Sequence, residues 1–168
     1  MNMIPIFTED FNRWFWDMSK IIVPIQVWAM VFPLPQMVLG CWSMIVVGKS
    51  SIGAYYFYAR VLSGCIACQI HKYYPYKKIV GPIMHVPFYI VVPYSIYWLL
   101  TREADDIATP PSNIHYRLVV YTTIITSISL VLDTMTFIKW MLGYKIGVYP
   151  LRKQFVNEIK KKNDTKTS

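Results

Sequence analysis

The sequence predicts an all-α, polytopic membrane protein with four transmembrane helices and a short amphipathic helix before them. The first observation is the length of its apolar segments, because a hydrocarbon core of roughly 30 Å needs about 20 mainly apolar helical residues. Four segments meet that length: Ile21 to Val47, Ser51 to Ile70, Ile79 to Leu100 and Leu118 to Leu142. Residues 1–150 are therefore predicted to form a transmembrane helical domain, followed by a basic tail at 151–168.

The second observation is the combination of composition and charge. Hydrophobic residues make up 55% of the chain, yet its formal net charge is +8. Nearly all basic residues lie between or beyond the apolar segments, as membrane anchors do. No polar surface with alternating basic and aromatic residues is evident, so nucleic acid is not an expected partner.

The third observation is an asymmetry of Lys and Arg between the two sides. With four crossings, the N-terminus, the 72–78 loop and the tail share one side and hold most of the basic residues. These are Arg13, Lys20, Lys72, Lys77, Lys78, Lys145, Arg152, Lys153, Lys160, Lys161, Lys162 and Lys166, against Lys49, Arg102 and Arg117 opposite. The positive-inside rule then places both termini in the cytosol. We expect the endoplasmic reticulum or a related endomembrane, with the mitochondrial inner membrane as the alternative.

The first element, residues 8–20, has the pattern of an interfacial helix. Phe11, Trp14, Phe15 and Met18 recur at the spacing of one helical face, with charged residues on the rest. Trp14 and Trp16 are predicted to lie at the lipid interface, where tryptophan is enriched. The alternative is a helix that packs on protein.

The first span is longer than a bilayer requires and contains Pro24, Pro33 and Pro35. Such a segment is either a tilted, kinked helix or a hairpin that enters and returns on one side. A hairpin would invert the rest of the chain and violate the charge asymmetry. The kinked helix is therefore predicted.

Polar and small residues form stripes on the second and fourth spans. On the second, Gly64 and Ala67 lie on the face of Arg60 and are predicted to pack closely against another helix. On the fourth, the stripe recurs every three or four residues and is predicted to avoid lipid. It consists of Thr122, Thr126, Ser129, Asp133 and Thr136.

Arg60 and Asp133 are the ionisable residues deepest in their spans. An uncompensated charge near the bilayer centre costs roughly 2.5 to 3.5 kcal/mol or more. We therefore expect the two residues to form an intramembrane ion pair. That pair is either a structural link between helices, or a relay or a clamp on a lipid headgroup.

The third span contains Pro82, Pro87 and Pro93, whose freed carbonyls need partners in protein or in a wet cavity. This helix is thus predicted to be enclosed, with His85 and Tyr89 lining a cavity. No cofactor or metal is expected. Haem ligated by His71 and His85, near the inner ends of neighbouring spans, is the alternative.

Basic residues beside the spans are predicted to contact lipid headgroups. Lys72, Lys77 and Lys78 surround three tyrosines, which is typical of a membrane boundary. In the tail, Arg152 and Lys153 begin a basic run that is either simply solvated or attracted to anionic lipid at about 1 kcal/mol per residue.

Function is less directly encoded, because no catalytic motif is evident and no catalytic residue is predicted. Polar stripes on several helices suggest that the chain has more polar helix surface than one small bundle can bury. The expected function is a non-catalytic accessory subunit whose partners are larger membrane subunits and phospholipids. The alternative is a lipid-handling or lipid-modifying protein whose cavity contains Arg60, Asp133 and His85.

The orientation can be tested at the sequence Asn163-Asp164-Thr165, a glycosylation acceptor in the tail. A cytosolic tail predicts that this site stays unmodified, as shown by unchanged electrophoretic mobility after glycosidase treatment. An acceptor introduced between residues 103 and 111 should be modified instead. Sugar on Asn163 would reverse the proposed orientation.

Overall fold

The computed structural model describes residues 3–31, 33–102 and 112–151, and these ranges are mainly helical. No strand occurs within them, although two isolated bridges join Ile21 to Leu151 and Lys77 to Val148. Seven helices lie in this part of the chain: α1 Met3–Ser19, α2 Val23–Val31, α3 Pro33–Val46, α4 Ile52–His71, α5 Val80–Met84, α6 Phe88–Leu100 and α7 Ser112–Met141.

The helices run between two ends of one bundle. At the first, which we call the basic end, the backbone of Ile22 bonds to Pro150, and Tyr149 bonds to Tyr76 in the 72–78 loop. At the other, the far end, residues 46–52 lie beside Trp98, Arg102 and His115. The chain therefore passes from end to end four times, through α2 with α3, then α4, then α5 with α6, and finally α7.

Only one of these four passes is a single helix with the length and composition of a membrane span. Within the described ranges, α7 alone is long and apolar enough. Its 30 residues cover about 45 Å at 1.5 Å per residue. By contrast, α4 has 20 residues but carries Arg60 and other polar side chains, while α3 and α6 have 14 and 13 residues.

A proline accompanies the division of the third predicted span. This span is divided into α5 and α6 around Pro87, whereas residue 32, between α2 and α3, lies outside the described residues. Proline lacks the amide hydrogen of the helical ladder and clashes with the preceding turn. The third predicted span is therefore two helices, which together lead from the basic end to the far end.

Close packing of α3 on α4 depends on two glycines. A Cβ at Gly40 would overlap the Phe57 side chain, and a Cβ at Gly53 would overlap Ser43. The predicted packing position, Gly64, is different, since a Cβ there would meet no atom within 4 Å in the described part of the chain. The sequence pattern identified the right helix but the wrong glycine, because it does not specify which turn faces the neighbour.

The core combines apolar packing with hydrogen bonds between helices. Tyr56 and Phe88 are its largest fully buried apolar side chains. Thr123 on α7 bonds to Tyr56 on α4 at 2.8 Å and to Ser95 on α6 at 2.6 Å, and Gln36 on α3 donates to Thr126 at 3.0 Å. These bonds join polar side chains of four helices inside the bundle.

The glycine contacts predict a difference between two substitutions on the same helix. Gly53→Ala should lower the unfolding temperature in detergent, because overpacking typically costs about 1 to 3 kcal/mol. Gly64→Ala is the matched control and should be neutral or raise stability by up to about 1 kcal/mol through helix propensity. Equal destabilisation by both would contradict the close α3–α4 contact at Gly53.

Candidate functional site

A cavity of about 130 Å³ lies at the basic end of the bundle. Its apolar wall includes Met18, Ile21, Ile25, Pro33, Val80 and Met84. Its polar wall contains Arg60, His71, Tyr76, Lys77, His85, Ser129, Asp133 and Tyr149. Segments remote from one another in the sequence therefore bring charged and hydrogen-bonding groups to one enclosed space.

Arg60 is the basic residue of this wall that lies deepest along its helix, near the middle of α4. Its Nη1 atom is buried and has no hydrogen-bond partner, and its guanidinium forms no salt bridge with any described residue. A charged group that is removed from water is normally paired, since desolvation of an uncompensated charge is costly. Arg60 is partly buried, lines the cavity and keeps Nη1 as an unused donor.

Asp133 lies in the same wall but is bonded elsewhere. Its Oδ2 accepts a hydrogen bond of 2.5 Å from Nδ1 of His85. The predicted Arg60–Asp133 ion pair is consequently replaced by an Asp133–His85 pair. Arg60 and Asp133 nevertheless line the same cavity. The physical reason is the break before α6, which turns His85 at the end of α5 towards α7.

Gly81 allows the backbone of α5 to approach Asp133. A Cβ at this position would lie 2.9 Å from Asp133 Oδ1 and 3.2 Å from Tyr149 Oη. Both oxygens therefore converge on the surface of α5 beside the cavity. Burial, together with the nearby charge of Asp133, raises the pKa of Tyr149 to about 12, so its hydroxyl stays protonated at neutral pH.

Helix α1 covers part of the cavity, and two carboxylates attach it to the end of α4. Asp17 Oδ2 bonds to His71 Nε2 at 2.9 Å, while Tyr76 and Lys20 both donate to Asp17 Oδ1. Asp10, which is buried, accepts from Lys72 at 2.7 Å. Asp17 thus orients two side chains of the cavity wall, His71 and Tyr76.

The hydrogen bonds around Asp17 also set its charge state. Burial alone raises the pKa of Asp17, but the bonds from His71, Tyr76 and Lys20 outweigh it and hold that pKa well below the ordinary value of 3.8. Burial and the bond to Asp17 both raise the pKa of Tyr76. A carboxylate and a neutral phenol therefore persist across the physiological range.

The size of the cavity does not support haem between His71 and His85. The cavity is smaller than the roughly 300 Å³ at which sites for drug-sized ligands begin. One ring nitrogen of each histidine bonds a carboxylate, His71 Nε2 to Asp17 and His85 Nδ1 to Asp133. Among the described residues no cluster of three or more His, Cys, Asp or Glu has the arrangement of a metal site.

Other residues singled out from the sequence are divided between core and surface. Ala67, Thr122, Thr126 and Ser129 are buried, while the Thr136 hydroxyl bonds to the carbonyl of Leu132 on its own helix. Tyr89 does not line this cavity; it is 40% exposed and bonds to Thr134. Arg152 and Lys153 lie outside the described residues.

Two of the predicted interface residues belong instead to the cavity. Trp14 lines it, whereas Trp16 is 70% exposed and faces outward. Lys77 also lines it and lies 5.7 Å from the ring centre of Tyr74, while Lys72 pairs with Asp10 and Lys78 is exposed. The amphipathic pattern of α1 does not distinguish a lipid surface from a protein surface.

Sequence reasoning missed Tyr149, Gly81 and Asp17 as parts of the site. Gly81 is adjacent to a proline in a broken span, and a glycine there is a usable signal for close backbone approach. Tyr149 and Asp17 carry no such signal. Tyr149 reaches the site because residues 147–151 fold back across the basic end and pair with the 76–78 backbone. Asp17 reaches it because α1 packs on α4.

No protein-family model matches this chain, and neither a curated protein nor a solved structure resembles it at a significant level.

The lowered pKa of Asp17 predicts a pH dependence of stability. Its contribution to the free energy of unfolding is complete above the unfolded pKa near 3.8, and it is lost as the pH falls below that value. Thermal unfolding in detergent between pH 6 and pH 3 should show this loss. Asp17→Asn should be less stable at pH 6 and should vary less with pH. Parallel curves for the two proteins would contradict the role given to Asp17.

Proposed function

We propose that this protein is an integral membrane protein whose bundle crosses the bilayer four times, with its cavity binding the phosphate-containing headgroup of a lipid on the cytosolic side. The observation that carries this proposal is the partly buried Arg60 in the cavity at the basic end, whose buried Nη1 has no hydrogen-bond partner among the described residues. The function is lipid binding or handling, and no covalent step is assigned.

The outward face of the bundle supports a lipid environment. On α7, large apolar side chains at successive turns are about half exposed, among them Ile124, Ile128, Val131, Met135 and Ile138. Extended exposed patches of this kind are rare on water-soluble monomers. By contrast, the polar stripe of α7 faces the other helices, as expected where polar side chains avoid acyl chains.

The charge and chemistry of the cavity support an anionic ligand. Arginine presents its donors in a planar fork that matches phosphate oxygens. Lys77 lies in the same wall and adds a second cation. An anion bound here would use the donors of Arg60 that have no partner, and this would offset the cost of burying its charge.

The position and size of the cavity favour a headgroup over a complete lipid. At about 130 Å³ the cavity holds only a small polar group, so acyl chains would lie outside it. The exposed residues Lys72, Tyr73 and Tyr74 lie at the same end, and such residues concentrate at membrane interfaces. A headgroup bound in the cavity would thus lie at the same depth as the headgroups of the surrounding bilayer lipids.

The accessory-subunit hypothesis stays a prediction with weaker support. It depended on more polar surface than one bundle can bury, yet Gln36, Thr123 and Thr126 are bonded to partners within this chain. These bonds support an internal role for part of that polar surface, whereas the buried hydroxyls of Ser63 and Thr122 have no partner among the described residues. Lipid binding therefore becomes the leading proposal, with larger membrane subunits as a second kind of partner.

The proposal predicts that Arg60→Gln weakens binding of a short-chain phospholipid. A hydrogen bond to a charged group contributes about 1.5 to 3 kcal/mol, which corresponds to roughly a 10- to 100-fold rise in Kd. Calorimetric titration of the purified full chain in neutral detergent measures this change. Lys139→Gln, an exposed cation on α7, is the matched control and should leave Kd unchanged.

Two additional titrations distinguish a headgroup bound at Arg60 from lipid adsorbed on the outer surface of the bundle. Inorganic phosphate should bind more weakly than the lipid, since the acyl chains add apolar contacts outside the cavity. Arg60→Lys should retain part of the affinity through its charge. Equal affinity of the wild type, Arg60→Gln and Lys139→Gln would refute phosphate binding at Arg60.

A further inference from the structure

We infer that the ligand of this cavity carries a primary ammonium group as well as a phosphate, as in an ethanolamine phospholipid. This inference rests on the proposed headgroup binding and adds the chemical class of the headgroup. It is based on two opposite charges that line one cavity without pairing with each other.

The two charges are Arg60 on α4 and Asp133 on α7. No salt bridge joins the two side chains, so the nitrogen atoms of Arg60 and the carboxylate oxygens of Asp133 are more than 4.0 Å apart. The hydrogen bond between His85 Nδ1 and Asp133 uses Oδ2 and leaves Oδ1 of the carboxylate outside that bond. The cavity therefore has a positive and a negative side.

A ligand with one charge of each sign complements such a cavity. A purely anionic headgroup would satisfy Arg60 but would place additional negative charge beside Asp133, and like charges at close range are unfavourable. A phosphate joined to an ammonium by a two-carbon bridge satisfies both sides. It is also small enough for a cavity of about 130 Å³.

The groups around the negative side favour a primary over a quaternary ammonium. The hydrogen bond from His85 uses Asp133 Oδ2, so Oδ1 remains as an acceptor towards Gly81. Tyr149 Oη lies beside the same point, and Ser129 lines the cavity one helical turn before Asp133. A primary ammonium has three N–H donors for these oxygens, whereas a trimethylammonium has none.

Gly81 holds the backbone of α5 close to the oxygens of the negative side. A Cβ at position 81 would lie 2.9 Å from Asp133 Oδ1 and 3.2 Å from Tyr149 Oη, so these oxygens would have to move. Gly81→Ala should therefore disturb the ammonium side while leaving every charge of the cavity in place. This substitution separates displacement of the acceptors from the loss of charge in Asp133→Asn.

The test is competition among lipids that differ only in headgroup. The purified full chain is equilibrated in neutral detergent with equimolar phosphatidylethanolamine, phosphatidylcholine and phosphatidylglycerol bearing identical acyl chains. Bound lipid is then quantified by native mass spectrometry for the wild type, Asp133→Asn, Gly81→Ala and the control Glu9→Gln, whose side chain is exposed on α1.

We expect the wild type and Glu9→Gln to retain the ethanolamine lipid at least about tenfold over the other two. Asp133→Asn and Gly81→Ala should lose this preference while still binding phospholipid through Arg60. Preference for the choline or glycerol lipid, or an unchanged preference in both cavity variants, would overturn the inference. Unselective binding that disappears in Arg60→Gln would overturn it while leaving the proposed function intact.

A final arm distinguishes a lipid from a soluble metabolite with the same headgroup. Free phosphoethanolamine is titrated as a competitor of the bound ethanolamine lipid. Displacement only at a large molar excess supports the lipid as ligand. If free phosphoethanolamine binds as tightly as the lipid, the assignment of a lipid as ligand is overturned. If lipid binding is identical in every variant, Arg60→Gln included, the headgroup site itself is refuted.

Discussion

The structure depends on the requirement that polar side chains buried in a mainly apolar bundle find partners inside the chain. Thr123 meets this requirement at the centre by joining α4, α6 and α7, and Gln36 links α3 to α7. Within the described ranges a few buried polar atoms remain unpartnered, and among them only the Arg60 guanidinium bears a permanent charge. The same requirement that organises the core therefore distinguishes Arg60 as a site for a ligand.

The break between α5 and α6 shapes the space in which that charge lies. Because α5 ends at Met84 and α6 begins at Phe88, the third pass starts at the basic end with a short helix instead of a continuous one. This short helix lines the cavity and turns His85 towards Asp133. Helix α1 and residues 147–151 then cover this end, held by the Asp17 hydrogen bonds and by backbone bonds to the 76–78 loop. The break that keeps α5 and α6 from forming one helix of span length is thus part of the origin of the candidate site.

Much of the site was recognisable from single residues, but their pairing was not. Arg60, Asp133 and His85 stand out because charged and imidazole groups are expensive within apolar segments. The expected Arg60–Asp133 pair assumed straight helices and a common depth, whereas the displaced end of α5 supplies a nearer partner. Likewise, the small-residue pattern of α4 predicted a close helix contact, and the choice between Gly53 and Gly64 was decided by the direction in which α3 lies. Tyr149 had no sequence signal, since its position follows from a fold-back of the chain.

By itself the sequence determined the all-helical class, the basic end and the residues whose burial requires compensation, because composition and local periodicity depend only on neighbours along the chain. The tertiary structure decided which helices break, which polar groups meet and which charge is left facing a cavity. These properties depend on distances between segments remote in sequence, such as the 48 residues between His85 and Asp133. Local patterns contain no measure of such distances, so the composition of the cavity emerges only when the segments are packed together.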